Sequence, residues 1–153
     1  LLITDLFDGD INMAFDEAVA VELFHNFTLI HDDIMDEAPL RRGEQTVHKK
    51  WNENIGILSG DILYAVSNKL IANSINNINP AVNQLFQRTS IEVCEGQAMD
   101  MEFESRNASV DEYILMSEKK TGSLFELCFE IYKITDKNIY KLKEELSKVY
   151  TEH

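Results

Sequence analysis

Proline and glycine are scarce in this chain, two and six among 153 residues. So little punctuation leaves room for long helices. Repeats, low-complexity tracts and strand-like alternation are missing too. Cysteine is reduced to Cys94 and Cys128, and neither has a CxxC or Cys/His partner. Two free thiols buried in apolar helical surroundings, in a reducing cytoplasmic compartment, are expected. No uninterrupted apolar run approaches the roughly 20 residues of a membrane span, and no signal peptide is visible. Basic residues are outnumbered, 14 Lys and Arg against 27 Asp and Glu, for a formal net charge of −13. That sign argues against nucleic acid as a partner, since phosphate backbones attract basic surfaces. An initiating methionine is also missing: the chain opens on Leu1 and is expected to start partway through a longer protein.

What remains is 44% hydrophobic and 27% charged, an ordinary balance for a globular protein with one core. Apolar residues recur at helical spacing. Asp10 to Phe15 reads as a turn and helix start, and Ala14 to Ala38 as a helix that Pro39 and Gly43 end. Asn54 to Ala72 follows, with Ile57, Leu58, Ile62, Leu63, Val66, Leu70 and Ile71 expected on its core face. Asn73 to Pro80 reads as a loop. Ala81 to Phe103 and Val110 to about Ile131 read as two further helices, and Lys137 to Tyr150 as a short amphipathic one. The expectation is an all-α architecture.

One cluster stands out chemically. In His31-Asp32-Asp33-Ile34-Met35-Asp36, Asp32 and Asp36 lie four apart, about 6 Å along a helix and nearly on one face. Like charges so placed repel, and a hard divalent cation relieves them through carboxylate oxygens. Taken alone, a DDxxD pattern is better explained by a solvated acidic helix end. Arg41-Arg42-Gly43 comes five residues after Asp36. Arginine forks suit phosphate oxygens, so a diphosphate bridging metal and arginines would explain both elements. Glu95-Gly96-Gln97 then precedes Asp100, and Lys120-Thr121 sits within a helix. Asp61, after Gly60, reads as a structural residue near a helix start. His25 alone would be an ordinary core histidine.

Together these segments resemble the polyprenyl synthetase family. The run from Glu22 to Asp36 is similar to that family's first aspartate-rich helix. Arg41-Arg42-Gly43, Thr46-Val47-His48, Leu58-Ser59-Gly60-Asp61, Glu92 to Gln97 and Lys120-Thr121 follow in the family's order. The likeness covers residues 1 to about 131. It implies an isoprenoid-synthase-type helical bundle with a central cavity, seen incompletely, in a single partial domain. It implies magnesium held by Asp32 and Asp36, with Asp33 supporting and Asp100 near the metal shell. Arg41, Lys120 and Thr121 would contact the allylic diphosphate, and His25 and Arg42 the isopentenyl diphosphate. Gln97 would line the same cavity. Phe27, five before Asp32, would floor the product pocket with Thr28 beside it, giving chains of fifteen or twenty carbons. A cytoplasmic homodimer is implied as well.

The likeness also has gaps. The family's upstream Gly-Lys-Arg segment and its second aspartate-rich motif are not found in these residues. Residues 132–153 resemble a distant C-terminal helix more than a direct continuation. The chain is therefore expected to be a fragment or a set of pieces joined between about Gly122 and Lys137, the second being favoured. Besides an active prenyltransferase, a non-catalytic partner subunit lacking the second motif stays open. A terpene cyclase fits less well, since Arg41-Arg42 and Lys120-Thr121 would have no second diphosphate to hold. A plain helical interaction module is the remaining reading.

Overall fold

The structure is a computed structural model that describes residues 1–6, 9–74 and 80–135, apart from the side chains of Met13 and Thr135. The described residues are almost entirely helical. They group into two compact units: Asp16–Ser74, and a second formed by Leu1–Phe15 with the helices that follow residue 80.

The first unit holds α2 (Phe15–Met35), a two-stranded hairpin (β1, Leu40–Arg41; β2, Glu44–Gln45), α3 (Val47–Lys50) and α4 (Glu53–Asn73). Asp16 and Glu17 in the first turn of α2 suit the positive end of its dipole. The helix ends three residues before the expected Ala38, for a local reason. Glu37 takes a left-handed conformation, φ 51°, and Ala38 N–H donates to the Asp33 carbonyl at 2.9 Å. With Glu37 N–H donating to Ile34 at 3.2 Å, this is a Schellman cap with glutamate in glycine's usual place. Pro39 then prevents further winding. The hairpin was not foreseen. Leu40 pairs with Gln45 and Arg41 with Glu44. Arg42 and Gly43 form the two-residue turn at φ 54° and 85°, the positive pair of a type I′ hairpin. Thr46 pins the hairpin's base to the end of α2, its hydroxyl donating to the Ala38 carbonyl at 2.7 Å.

Asn52 caps α4 by accepting from Ile55 N–H at 2.9 Å. Asp61 is therefore no cap; it lies mid-helix and exposed. The expected core face of α4 is also corrected. Its buried residues are Gly56, Gly60, Ser67 and Ile71, while Ile57, Leu58, Ile62 and Val66 are exposed. Small residues face inward because α2 comes too close for anything larger. A Cβ on Gly56 would stand 2.8 Å from Ile34, and one on Gly60 2.3 Å from the His31 ring. Phe24, at 1% exposure, fills the space beside them with Phe27 and Tyr64. Burying such a ring stabilises by about 1.5–3 kcal/mol. By length and composition α4 could cross a membrane, an exception among the described helices to the expectation of no such segment. Asp61 near its middle is a charge that a membrane interior would penalise.

The second unit holds α1 (Leu2–Leu6), a 3₁₀ turn (Ile11–Ala14) capped by Asp10, α5 (Pro80–Phe103), α6 (Val110–Ser117), a π-helical turn (Glu118–Gly122) and α7 (Ser123–Thr135). Val82, Phe86, Thr89, Val93 and Gly96 form the buried stripe of α5. Ser109 and Glu112 start α6 with a reciprocal capping box. The single helix expected over 110–131 is interrupted by the π turn. Gly96 packs directly against this turn: a Cβ there would fall 2.3 Å from the Lys120 backbone nitrogen. Beyond that turn, α7 runs from Ser123 to Thr135. The expected helix at 137–150 and the rest of the 132–153 reading lie outside the described residues. Cys128 is half-buried, but Cys94 is exposed on α5, contrary to the expected buried thiols. Burial pushes the Cys128 thiol up, away from reactivity.

Candidate active site

The last turn of α2 presents three carboxylates in three environments. Asp33 is buried, Asp32 half-buried and Asp36 exposed. Because β1 folds back beside this turn, Arg41 reaches both of the first two. Its Nε donates to Asp33 at 2.8 Å and a terminal nitrogen to Asp32 at 3.1 Å. A buried carboxylate needs such a partner, so Asp33 anchors Arg41. The other arginine fares differently. Arg42 occupies the hairpin tip, exposed and in a left-handed conformation that costs a non-glycine residue about 1 kcal/mol.

His25, Phe27 and Thr28 lie further back along α2. His25 and Phe27 are half-buried, and the Thr28 hydroxyl donates to the His25 carbonyl at 2.7 Å. Phe27 is boxed by aromatic rings: Tyr64 stacked at 5.1 Å, Phe24 at 5.6 Å and His31 edge-on at 4.7 Å. A ring so enclosed is a rigid wall. His48 of the Thr46-Val47-His48 segment is buried.

In the second unit, Asp100 and Lys120 are brought together, Nζ to carboxylate 2.6 Å. Lys119 takes Glu95 instead. The π turn sends these consecutive lysines to acids five residues apart on α5. Thr121 is exposed and Gln97 half-buried. An open groove of about 610 Å³ in this unit is lined by Glu95, Lys119, Arg88 and Glu126, so it lies on the Lys119 side and not at Asp100. The sequence analysis gave no role to Lys119 or Tyr64 and named His31 only as the first residue of the aspartate cluster; none of the three carries a local signal of its contacts.

Among the described residues no three His, Cys, Asp or Glu side chains converge on a metal position. Two carboxylates one turn apart are nonetheless a suitable donor set for magnesium, which keeps waters and takes substrate phosphates as its remaining ligands. Hard oxygen donors with an arginine fork beside them fit that ion and an anionic ligand better than zinc.

The polyprenyl synthetase family model matches residues 2–152. A short chain isoprenyl diphosphate synthase of Methanocaldococcus jannaschii is 48% identical over 118 residues, covering 76% of this chain and 36% of that protein. A geranylgeranyl diphosphate synthase of Saccharolobus solfataricus is 41% identical over 98% of this chain and 46% of its own length. Among solved structures, a geranylgeranyl pyrophosphate synthase superposes with a TM-score of 0.82 at 42% identity, over 90% of this chain and 43% of the other. The enzyme from Geoglobus acetivorans superposes equally well, TM-score 0.82 at 38% identity, over 92% and 48%. The all-α fold is thus that of the isoprenoid synthase bundles. The chain spans less than half the length of these relatives.

Proposed function

From the premise that this chain belongs to the polyprenyl synthetase family, we propose that the protein condenses an allylic diphosphate with isopentenyl diphosphate, head to tail, with magnesium as cofactor. The observation that carries this reading is the hairpin folded back on α2, which places Arg41 within 3.1 Å of Asp32 and Asp33. Anion-binding and cation-binding groups are there built as one piece, as a metal-diphosphate ligand requires.

Asp32, Asp36 and Asp100 would hold the magnesium, which when bound withdraws charge from the departing diphosphate. Arg41, Lys120 and Thr121 bind that diphosphate, with Gln97 lining the cavity; His25 and Arg42 bind the second one. Asp33 keeps Arg41 in place. As the allylic carbon–oxygen bond breaks, its electron pair leaves with the diphosphate. The double bond of isopentenyl diphosphate attacks the allylic carbon, and the new cation loses a proton to the released diphosphate. The chain's part is to fix both anions in register and exclude water. Phe27, backed by Tyr64 and then by buried Phe24, closes the product pocket at fifteen or twenty carbons. Work in the cytoplasm as a homodimer completes the reading. Ile55, Leu58, Ile62 and Val66 are exposed along one stripe of α4, opposite its buried glycines, and such a ridge suits a second copy.

The test is product analysis on the full-length encoded protein with isopentenyl and dimethylallyl, geranyl or farnesyl diphosphate. Magnesium-dependent chain growth, lost in Asp32→Ala, is expected. Growth only after addition of a second prenyltransferase subunit would assign the chain to a non-catalytic partner instead. Phe27→Ala should lengthen the product by at least one isoprene unit; unchanged length with retained activity removes Phe27 as the floor. Ile62→Glu should give a monomer by light scattering if α4 forms the dimer.

A further inference from the structure

His31 takes no part in the chemistry proposed above, yet its ring is held from several directions. Nε2 donates to the Ile57 carbonyl of α4 at 3.1 Å, which places the ring proton on that nitrogen. The Asp61 carboxylate lies 3.8 Å from the same atom. Phe27 meets the ring edge-on at 4.7 Å. Beneath it is Gly60, where a Cβ would stand 2.3 Å from Nε2 and 2.5 Å from Cδ2. The ring thus occupies the space that a side chain at residue 60 would take.

The other contacts between α2 and α4 include the cluster of Phe24, Phe27 and Tyr64. Ring packing buries area but tolerates sliding, whereas a hydrogen bond is directional. One residue's rotation of a helix is about 100°, so a small turn of α2 would carry its carboxylates away from their ligand.

We propose that His31 is a positioning residue for the metal-binding carboxylates. It latches the end of α2 to the Ile57 carbonyl through the gap at Gly60, and so sets the azimuth at which Asp32 and Asp36 are presented. Gly60 is the other half of the device, since only glycine admits the ring. The assignment rests on the reading of Asp32 and Asp36 as metal ligands.

The test uses the full-length protein and Mn²⁺ as a paramagnetic substitute for magnesium, with saturating inorganic diphosphate and free Mn²⁺ followed by electron paramagnetic resonance. Asp36→Asn should abolish Mn²⁺ binding; unaltered binding there would overturn the site reading itself, and the latch with it. With that control met, His31→Leu should weaken Mn²⁺ by about tenfold, the lower end of what losing a ligand-orienting group costs. His31→Gln keeps an N–H donor at similar reach and should restore affinity to within about threefold. Gly60→Ala should expel the ring and weaken Mn²⁺ as His31→Leu does, and the double variant Gly60→Ala/His31→Leu should be no weaker than either alone. Unchanged affinity in His31→Leu, a Gln variant as weak as Leu, or losses that multiply in the double variant would each overturn the latch. If His31→Leu fails to fold, the Gly60→Ala and double-variant comparison decides alone.

Discussion

In the unit of residues 16–74, Arg41 reaches its carboxylates eight and nine positions back; in the other unit, Lys120 reaches Asp100 across twenty. The first pairing is made by a helix end, a Schellman cap and a type I′ hairpin, all local in sequence. The second is made where α5 closely approaches the π turn at Gly96, between segments distant in sequence. The acids differ too: the Asp33 side chain is 6% exposed and that of Asp100 38%. Similar ion pairs therefore have different physical roles. Arg41 satisfies a buried charge and is held by the fold. Lys120 pairs with a carboxylate that is 38% exposed to solvent, so its pairing contributes less to stability.

The sharpest way to break this comparison is at the glycines. Gly96→Ala sets a methyl against the Lys120 backbone at 2.3 Å, which no side-chain rotation relieves. It should destabilise by about 3 kcal/mol and remove activity. Gly43→Ala meets nothing within 4 Å, so only its φ of 85° is penalised, by about 1 kcal/mol. Thermal unfolding of both variants checks the ranking; equal losses would mean that the contact at Gly96 is not tight.

Next come the cations. Arg41→Gln leaves Asp33 buried without its ion-pair partner and should cost about 2 kcal/mol. Lys120→Gln should cost less than about 1 kcal/mol while impairing catalysis as severely. Denaturant unfolding beside steady-state kinetics separates the two. A larger stability loss at Lys120 would reverse the roles assigned here.

Smaller effects are expected at the left-handed residues. Arg42→Gly relieves the turn at φ 54° and should stabilise by about 0.5 kcal/mol, after glycine's own entropy cost, while weakening isopentenyl diphosphate binding. Glu37→Gly should stabilise similarly with activity intact. Stability gained at both sites but activity lost only at Arg42 would identify the strain there as functional.

The smallest effect is electrostatic and lies in the second unit. Hydrogen bonds from Arg106, then from the Ser109 backbone and hydroxyl, lower the Glu112 carboxyl from an ordinary 4.5 to about 2. A depressed carboxyl contributes stability above its unfolded value, so the capping box should weaken only as pH falls from about 4.5 toward about 2. A carbon-detected titration of Glu112 checks this, and Arg106→Gln should return it toward 4.5.

Helix spans were legible because apolar spacing, Asp10 and Pro39 are local signals. α4 was found within a residue of each end, yet its facing was right only in part: Ile71 is buried, while Ile57, Leu58, Ile62 and Val66 are exposed. Hydrophobicity marks a core face only when the neighbouring helix leaves room for large side chains. Against α2 it does not, and Gly56 and Gly60 turn inward instead. The hairpin was hidden because its strands are two residues each, too short for any period to register.

By itself the sequence determined an all-α chain, the one-turn spacing of Asp32 and Asp36, and the arginine pair close behind them, since helical geometry and short chain separation leave few alternatives. Only the tertiary structure decided which arginine clamps the carboxylates and which stands exposed, that Lys120 and not Lys119 meets Asp100, and that His31 fills the space at Gly60. Each of those outcomes depends on how closely two backbones approach, and that distance is set by packing between segments, which no local pattern of residue types contains.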